Sequence, residues 1–144
     1  MTEVALTGYE GETISAFVHK LQADVKAVID IREIPLSRKK GFSKNTLAKT
    51  LWSRGIEYHH FKELGSPSEI RNQLRSDGDY IDFFEKYKRH ARKNGGILKN
   101  VLKIIHSKHS ALLCFEKDCE LCHRTIVASE LQRLSHQKLL VTQL

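Results

Sequence analysis

The chain has 144 residues, enough for one domain with one core. Apolar residues make up 40% and charged residues 28%, as in a soluble globular protein, and no uninterrupted apolar run reaches the length of a transmembrane helix. Residues 2–7 lack the basic-then-apolar order of a signal peptide, and three cysteines cannot all pair within one molecule. The expected address is the cytoplasm, with reduced thiols and no membrane partner.

The formal net charge is +7, and its placement is uneven. Residues 34–56 hold Arg38, Lys39, Lys40, Lys44, Lys49 and Arg54 without an acid, and residues 85–109 hold eight Lys and Arg against Glu85 alone. Two readings compete. Such stretches can be solubilising surface, or they can contact the phosphates of a nucleic acid. On the second reading the candidate contacts are Lys39, Lys40, Lys44, Arg89, Arg92 and Lys93.

Val4-Ala5-Leu6-Thr7 reads as a first strand, broken by Gly8-Tyr9-Glu10-Gly11. Thr13 is a candidate cap for a helix to about Ala23, with Ile14, Phe17, Val18 and Leu21 on one face. Residues 27–31 form a second strand. The three elements make a β-α-β unit, for which a right-handed crossover and parallel pairing are expected. The glycine turn lacks G-x-G-x-x-G spacing and is no dinucleotide fingerprint. Tyr9 either packs beside the sheet edge or lines a pocket.

The second strand ends in Asp30-Ile31-Arg32, and alternation sends Asp30 and Arg32 to the same side. They can secure the loop as a mutual ion pair. Alternatively, they stand at the rim of the sheet, where Arg32 holds a phosphate or carboxylate and Asp30 orients it or acts as a base. Pro35 to Gly41 is a basic loop containing Arg38. Ser43 is a candidate cap for a helix over residues 44–54, with Gly55 at its C-terminal end. A strand follows over residues 57–61, in which His59 and His60 point to opposite faces and so form no chelating pair.

Ser66, Pro67 and Glu69 open a short helix that Asp77-Gly78-Asp79 interrupts. Tyr80, Phe83, Phe84 and Tyr87 form a helical stripe, suited to core packing ahead of base stacking. Asn94-Gly95-Gly96 ends that helix, and Ile97, Val101, Leu102 and Ile105 mark another. Residues 110–115 read as a buried strand, residues 122–134 as a helix, and Leu139-Leu140-Val141 as a last short strand. This alternation predicts an α/β fold: residues 1–144 as a single three-layer domain around a mostly parallel central sheet.

The three cysteines, Cys114, Cys119 and Cys122, lie together where the strand at 110–115 gives way to a helix, next to His123 and Arg124. Cys119 to His123 matches the spacing of haem attachment, but that chemistry requires export. Cys114, Cys119, Cys122 and His123 could in number supply four zinc ligands, yet no second Cys-x-x-Cys half-site is present, and neighbouring Cys122 and His123 are an awkward pair. The expectation is therefore no metal and no cofactor. A strand end meeting a helix start is instead a place for an anion and a reactive thiolate. The candidate catalytic groups are Cys114, Glu116, His123 and Asp30, and the candidate anion-binding groups are Tyr9, Arg32, Arg38 and Arg124. The competing reading is structural: Cys114 as core filler, His123 capping the sheet, and Arg124 paired with Glu116.

These segments, in order, resemble the DUF488 family. The resemblance rests on Thr7-Gly8-Tyr9, Asp30-Ile31-Arg32, Pro35 to Phe42, Leu64-Gly65, Leu113-Cys114-Phe115-Glu116 and Cys122-His123-Arg124, spanning roughly residues 4–134. It implies an α/β fold with a shared polar site, and points only loosely to nucleic acid or nucleotides. The expected function is a nucleic-acid- or nucleotide-directed protein, with Asp30, Arg32, Cys114, Glu116 and His123 converging on one pocket at the C-terminal rim, a candidate active site. The alternative is a non-catalytic basic nucleic-acid-binding or adaptor protein.

Overall fold

The computed structural model describes residues 2–115 and 122–144. In chain order its elements are β1 (Thr2–Gly8), α1 (Ile14–Gln22), β2 (Ala27–Asp30), α2 (Lys44–Ser53), β3 (Glu57–His60), α3 (Ser68–Asp77), α4 (Tyr80–Lys93), α5 (Gly95–Ser107), β4 (Ser110–Cys114), α6 (Arg124–Leu134) and β5 (Leu139–Gln143). The strands form one sheet in the order β3-β2-β4-β1-β5, and every pairing is parallel. The expected single α/β domain with a central parallel sheet is thus present.

One expectation needs correction. β1 and β2 do not pair, because β4 lies between them. Every residue of Ser110–Cys114 is buried. The middle of a parallel sheet suits such a strand, since there both edges are bonded and both faces covered.

The side chains of the sheet alternate between two cores. On one face, Ala5, Val28, Ala111 and Leu113 meet Phe17, Val18 and Leu21 of α1 and Leu47 and Leu51 of α2. On the other, Val4, Leu6, Ile29 and Leu112 meet Tyr87 of α4, Leu98 and Val101 of α5, and Val127 and Leu131 of α6. α3 buries none of its side chains. Phe83 and Tyr87 of the aromatic stripe are buried as expected, while Tyr80 is exposed.

This connectivity opens a crevice. From β1 the chain runs by way of α1 to β2, and from β4 it runs by way of α6 to β5, on the opposite face. The segments leaving the carboxyl ends of neighbouring β1 and β4 therefore diverge. In open α/β sheets that switch point is where ligands bind.

Local signals place the elements well. Thr13 caps α1 by accepting from the Ala16 N–H, 3.1 Å away. Gly78 ends α3 in the left-handed region, at φ 66°. Ser43 precedes α2 but does not cap it with its side chain. Its hydroxyl instead accepts from the Ser37 N–H at 3.0 Å and donates to the Ser37 carbonyl at 3.2 Å, which closes the basic loop on itself. No helix among the described residues is long and apolar enough to cross a membrane.

Gly65 sits where two chain segments touch. A Cβ built there would lie 2.1 Å from the Glu33 backbone nitrogen, so only a residue without a side chain lets the turn after β3 rest on the segment leaving β2. Gly65→Ala should lower stability by at least about 1–3 kcal/mol through overpacking against backbone. Gly55→Ala has open space around it and only a positive φ to accommodate, so it should cost about 1–2 kcal/mol. Denaturant midpoints of the two variants test this, and a smaller loss for Gly65→Ala would contradict the close approach.

Candidate functional site

The carboxyl ends of β1, β2 and β4 carry Tyr9, Asp30-Ile31-Arg32 and Cys114-Phe115 to one rim. Asp30 is fully buried there. Its Oδ1 accepts from the Arg32 backbone N–H at 3.1 Å and from Arg32 Nε at 2.9 Å, and its Oδ2 accepts from Arg32 Nη2 at 2.7 Å. The Tyr58 hydroxyl donates to Oδ2 at 2.5 Å. Arg32 Nη1 donates to the Tyr9 hydroxyl at 3.0 Å and to the Phe42 carbonyl at 2.8 Å. Burial alone would loosen the proton of Arg32, but the Asp30 carboxylate outweighs it and holds the guanidinium more firmly charged than usual. Burial, followed by the Asp30 charge, pushes the Tyr58 hydroxyl far above its ordinary range.

Asp30 and Arg32 are therefore a mutual ion pair, the first of the two readings open to them. Tyr9 does both things its position allowed. It is buried, with its ring stacked on Phe42 at 4.3 Å and edge-on to Phe115 at 5.3 Å, and it also lines a cleft at the rim.

The expected convergence divides across the sheet. Asp30 pairs in register with Leu113, which belongs to the core under α1 and α2. Cys114, the next residue, projects to the opposite face, the side of Leu112, α4 and α6. The Asp30 carboxylate is thus held away from the Cys114 sulfur, and Arg32 reaches the cleft while Asp30 stays beneath it. This corrects the picture of Asp30 as an accessible acid–base group. Glu116, Cys119 and the expected Glu116–Arg124 pair lie outside the described residues. Arg124 is buried at the start of α6 and lines neither rim cleft.

On its own face Cys114 meets Cys122 and His123. The Cys122 sulfur is 3.5 Å and the Cys114 sulfur 3.9 Å from His123 Nδ1, and His123 Nε2 donates to the Ile31 carbonyl at 3.0 Å. A carbonyl only accepts, so Nε2 carries the hydrogen and, in the neutral ring, the Nδ1 lone pair faces both thiols. The Tyr87 ring packs edge-on against the imidazole at 4.9 Å. Burial pushes the Cys122 thiol up, yet the hydrogen bond from Cys114, the charge of His123 and the charge of Arg124 together hold it well below its ordinary range.

Two adjoining clefts open over this rim. One, of about 340 Å³, is lined by Tyr9, Arg32, Arg38, Arg71, Arg75, Cys114, Phe115 and His123 among others. The second, of about 430 Å³, shares Ser66, Arg71, Arg75 and His123 with it and adds Cys122. Arg32 is neutralised by Asp30, and Arg71 donates to Glu33 at 2.8 Å. Arg38 and Arg75 are exposed, with no ion pair among the described residues. Among the described residues they are the two arginines of this cleft that no salt bridge engages. Arg38 was legible in the sequence, whereas Arg71 and Arg75 were missed. Their spacing of four puts both on one side of α3, and that was the available signal.

The other basic candidates are divided between the two sides of the sheet. Lys39, Lys40 and Lys44 lie in the loop before α2 and at its start, on the side of α1 and α2. Lys39 donates to the Glu12 carbonyl at 2.7 Å, while Lys40 and Lys44 are exposed. Arg89, Arg92 and Lys93 belong to α4, on the other side. Arg92 is bonded at 2.8 Å to Glu130, a buried carboxylate.

The ion pair yields a direct test. Arg32→Met should cost about 3–5 kcal/mol, because it strands a buried carboxylate. Adding Asp30→Asn should bring a smaller further loss than Asp30→Asn causes alone, since no charge is then left behind. Urea unfolding of the two single variants and the double variant measures the coupling, and strictly additive losses would contradict it.

A search of curated proteins and one of solved structures find no match. A family model described as a domain of unknown function matches residues 13–131, a span that takes in the ends of β2 and β4, the loop with Arg38, α3 with its two arginines, and the Cys-His start of α6. The chain belongs to the DUF488 family.

Proposed function

We propose that the rim cleft binds a phosphate-bearing ligand of the nucleotide class, either free or as part of a nucleic-acid strand. One observation carries the reading: Arg38 and Arg75, two exposed arginines with no ion pair among the described residues, line the same cleft as three exposed apolar side chains, Ile34, Leu36 and Phe115. Guanidinium groups bind phosphate by paired charge-assisted hydrogen bonds, and an apolar wall with an exposed ring suits the flat face of a base. Ser37 and Ser66 add hydroxyls to the lining. The cleft, at about 340 Å³, is of a size for a small ligand.

The placement of the lysines bears on the form of the ligand. Lys40 and Lys44 continue the positive charge of Arg38 along one loop. The cations of α4 lie across the sheet and extend no common track with them. This supports one nucleotide seated in the cleft, with a short strand leaving over the loop before α2, in preference to a duplex laid along one face. The Cys114–Cys122–His123 group stands in the walls of the two clefts, where it can meet the bound ligand.

Calorimetric titration with a nucleoside, its monophosphate and a short single-stranded oligonucleotide tests the reading. The phosphorylated ligands should bind and the bare nucleoside should bind far more weakly. Arg38→Ala and Arg75→Ala should each weaken nucleotide binding by about 10- to 100-fold, the loss of a hydrogen bond to a charged group. For the oligonucleotide, a Lys40→Ala/Lys44→Ala variant should lower the salt slope by about 0.7 for each phosphate contact removed. Equal affinity for nucleoside and nucleotide, or unchanged affinity in Arg38→Ala/Arg75→Ala, would overturn the assignment.

A further inference from the structure

We propose that Cys114, Cys122 and His123 are three ligands of a zinc(II) site at the wall shared by the two rim clefts. This goes beyond the phosphate reading and does not depend on it. The three donor atoms all lie within 4.8 Å of one another, and their residues are only 6%, 1% and 4% exposed. Tetrahedral zinc with Zn–S near 2.3 Å and Zn–N near 2.0–2.1 Å places a sulfur and a nitrogen ligand about 3.5–3.6 Å apart. The observed Sγ···Nδ1 separations are 3.5 Å for Cys122 and 3.9 Å for Cys114.

The imidazole is already arranged as a metal ligand's would be. A coordinating histidine characteristically gives its other ring N–H to a carbonyl or carboxylate, which fixes the tautomer and the ring plane. His123 does this through Nε2 to the Ile31 carbonyl at 3.0 Å, and the edge of Tyr87 holds the ring from the side. Its Nδ1 lone pair then points to where the two sulfurs are. Sequence spacing argued against ligation by adjacent Cys122 and His123. The structure removes that objection, since the turn before α6 brings both donor atoms to one point without a second Cys-x-x-Cys half-site.

The supports are rigid. Cys114 ends the central strand, and Cys122 and His123 lead into an eleven-residue helix. Thr125 Oγ1 donates to the Cys122 carbonyl at 3.2 Å and so fixes the turn that carries both ligands. His123 lines both clefts, Cys114 one and Cys122 the other, so an ion can enter from either. Binding exchanges the protons that the group still holds for the dication, so that two thiolates, one neutral imidazole and Zn²⁺ make a neutral site.

The full chain, freed of any affinity tag, decides the matter without nucleotide present. Metal analysis of the purified protein should give one zinc per chain. After chelation, Co²⁺ should restore one equivalent, with a thiolate-to-cobalt charge-transfer band and the intense visible bands of tetrahedral cobalt. Cys122→Ser and His123→Gln should lose both, while Lys103→Ala, at the far end of α5, should keep them. Should those two variants fail to fold, the wild type still decides. Bound zinc should shield Cys114 and Cys122 from alkylation, and chelation should expose them. No stoichiometric metal together with a cobalt spectrum lacking the thiolate band would overturn the site, as would alkylation indifferent to zinc or a Cys114–Cys122 disulfide in the protein as purified. Nucleotide binding lost in Arg38→Ala/Arg75→Ala leaves these readouts untouched, so the two readings fail separately.

Discussion

The rim of this protein is held by one buried ion pair. Asp30 and Arg32 stand two residues apart at the end of β2, and between them they bind three other parts of the chain. Arg32 reaches Tyr9 after β1 and the Phe42 carbonyl before α2, while Asp30 receives Tyr58 from β3. Taking two charges out of water is costly, and only a nearly saturated set of hydrogen bonds offsets it. That requirement fixes the turn after β1 and the basic loop in one mutual arrangement. The cleft above is shaped by loops that the pair keeps in place.

The same pair decides which groups can do chemistry. By holding Asp30 under α1 and α2, it takes the carboxylate out of the cleft and leaves the Arg32 edge as part of the wall. Strand alternation then sends Cys114 to the other face, where the start of α6 delivers Cys122 and His123. The rim therefore has two distinct chemistries side by side: a positive, partly apolar cleft bordered by α3, and a soft sulfur–nitrogen cluster in the wall it shares with its neighbour. One suits phosphate and the other suits a borderline-soft metal ion.

Much of this was legible in residue patterns. Period-two alternation placed the strands, and the spacing of Asp30 and Arg32 put both on one side before any pairing was known. Capping signals at Thr13 and Gly78 set helix ends within a residue or two. The strand order was not legible, because the insertion of β4 between β1 and β2 depends on contacts more than 80 residues apart in sequence. Register was hidden for the same reason. Only the pairing of Asp30 with Leu113 shows that Asp30 and Cys114 face opposite ways. Arg71 and Arg75 escaped notice because α3 has no buried face, so its sequence lacks the apolar stripe that would have oriented it.

The central claim is that Arg38 and Arg75 hold an anion at this rim, whereas the equally basic α4 does not. Side-chain NMR of arginine Nε–Hε groups during titration with a nucleoside monophosphate tests it residue by residue. The account predicts shifts for Arg38 and Arg75, a smaller response at Arg71, whose guanidinium already serves Glu33, and none at Arg89 or Arg92. Shifts at Arg89 and Arg92 with Arg38 and Arg75 silent would contradict it.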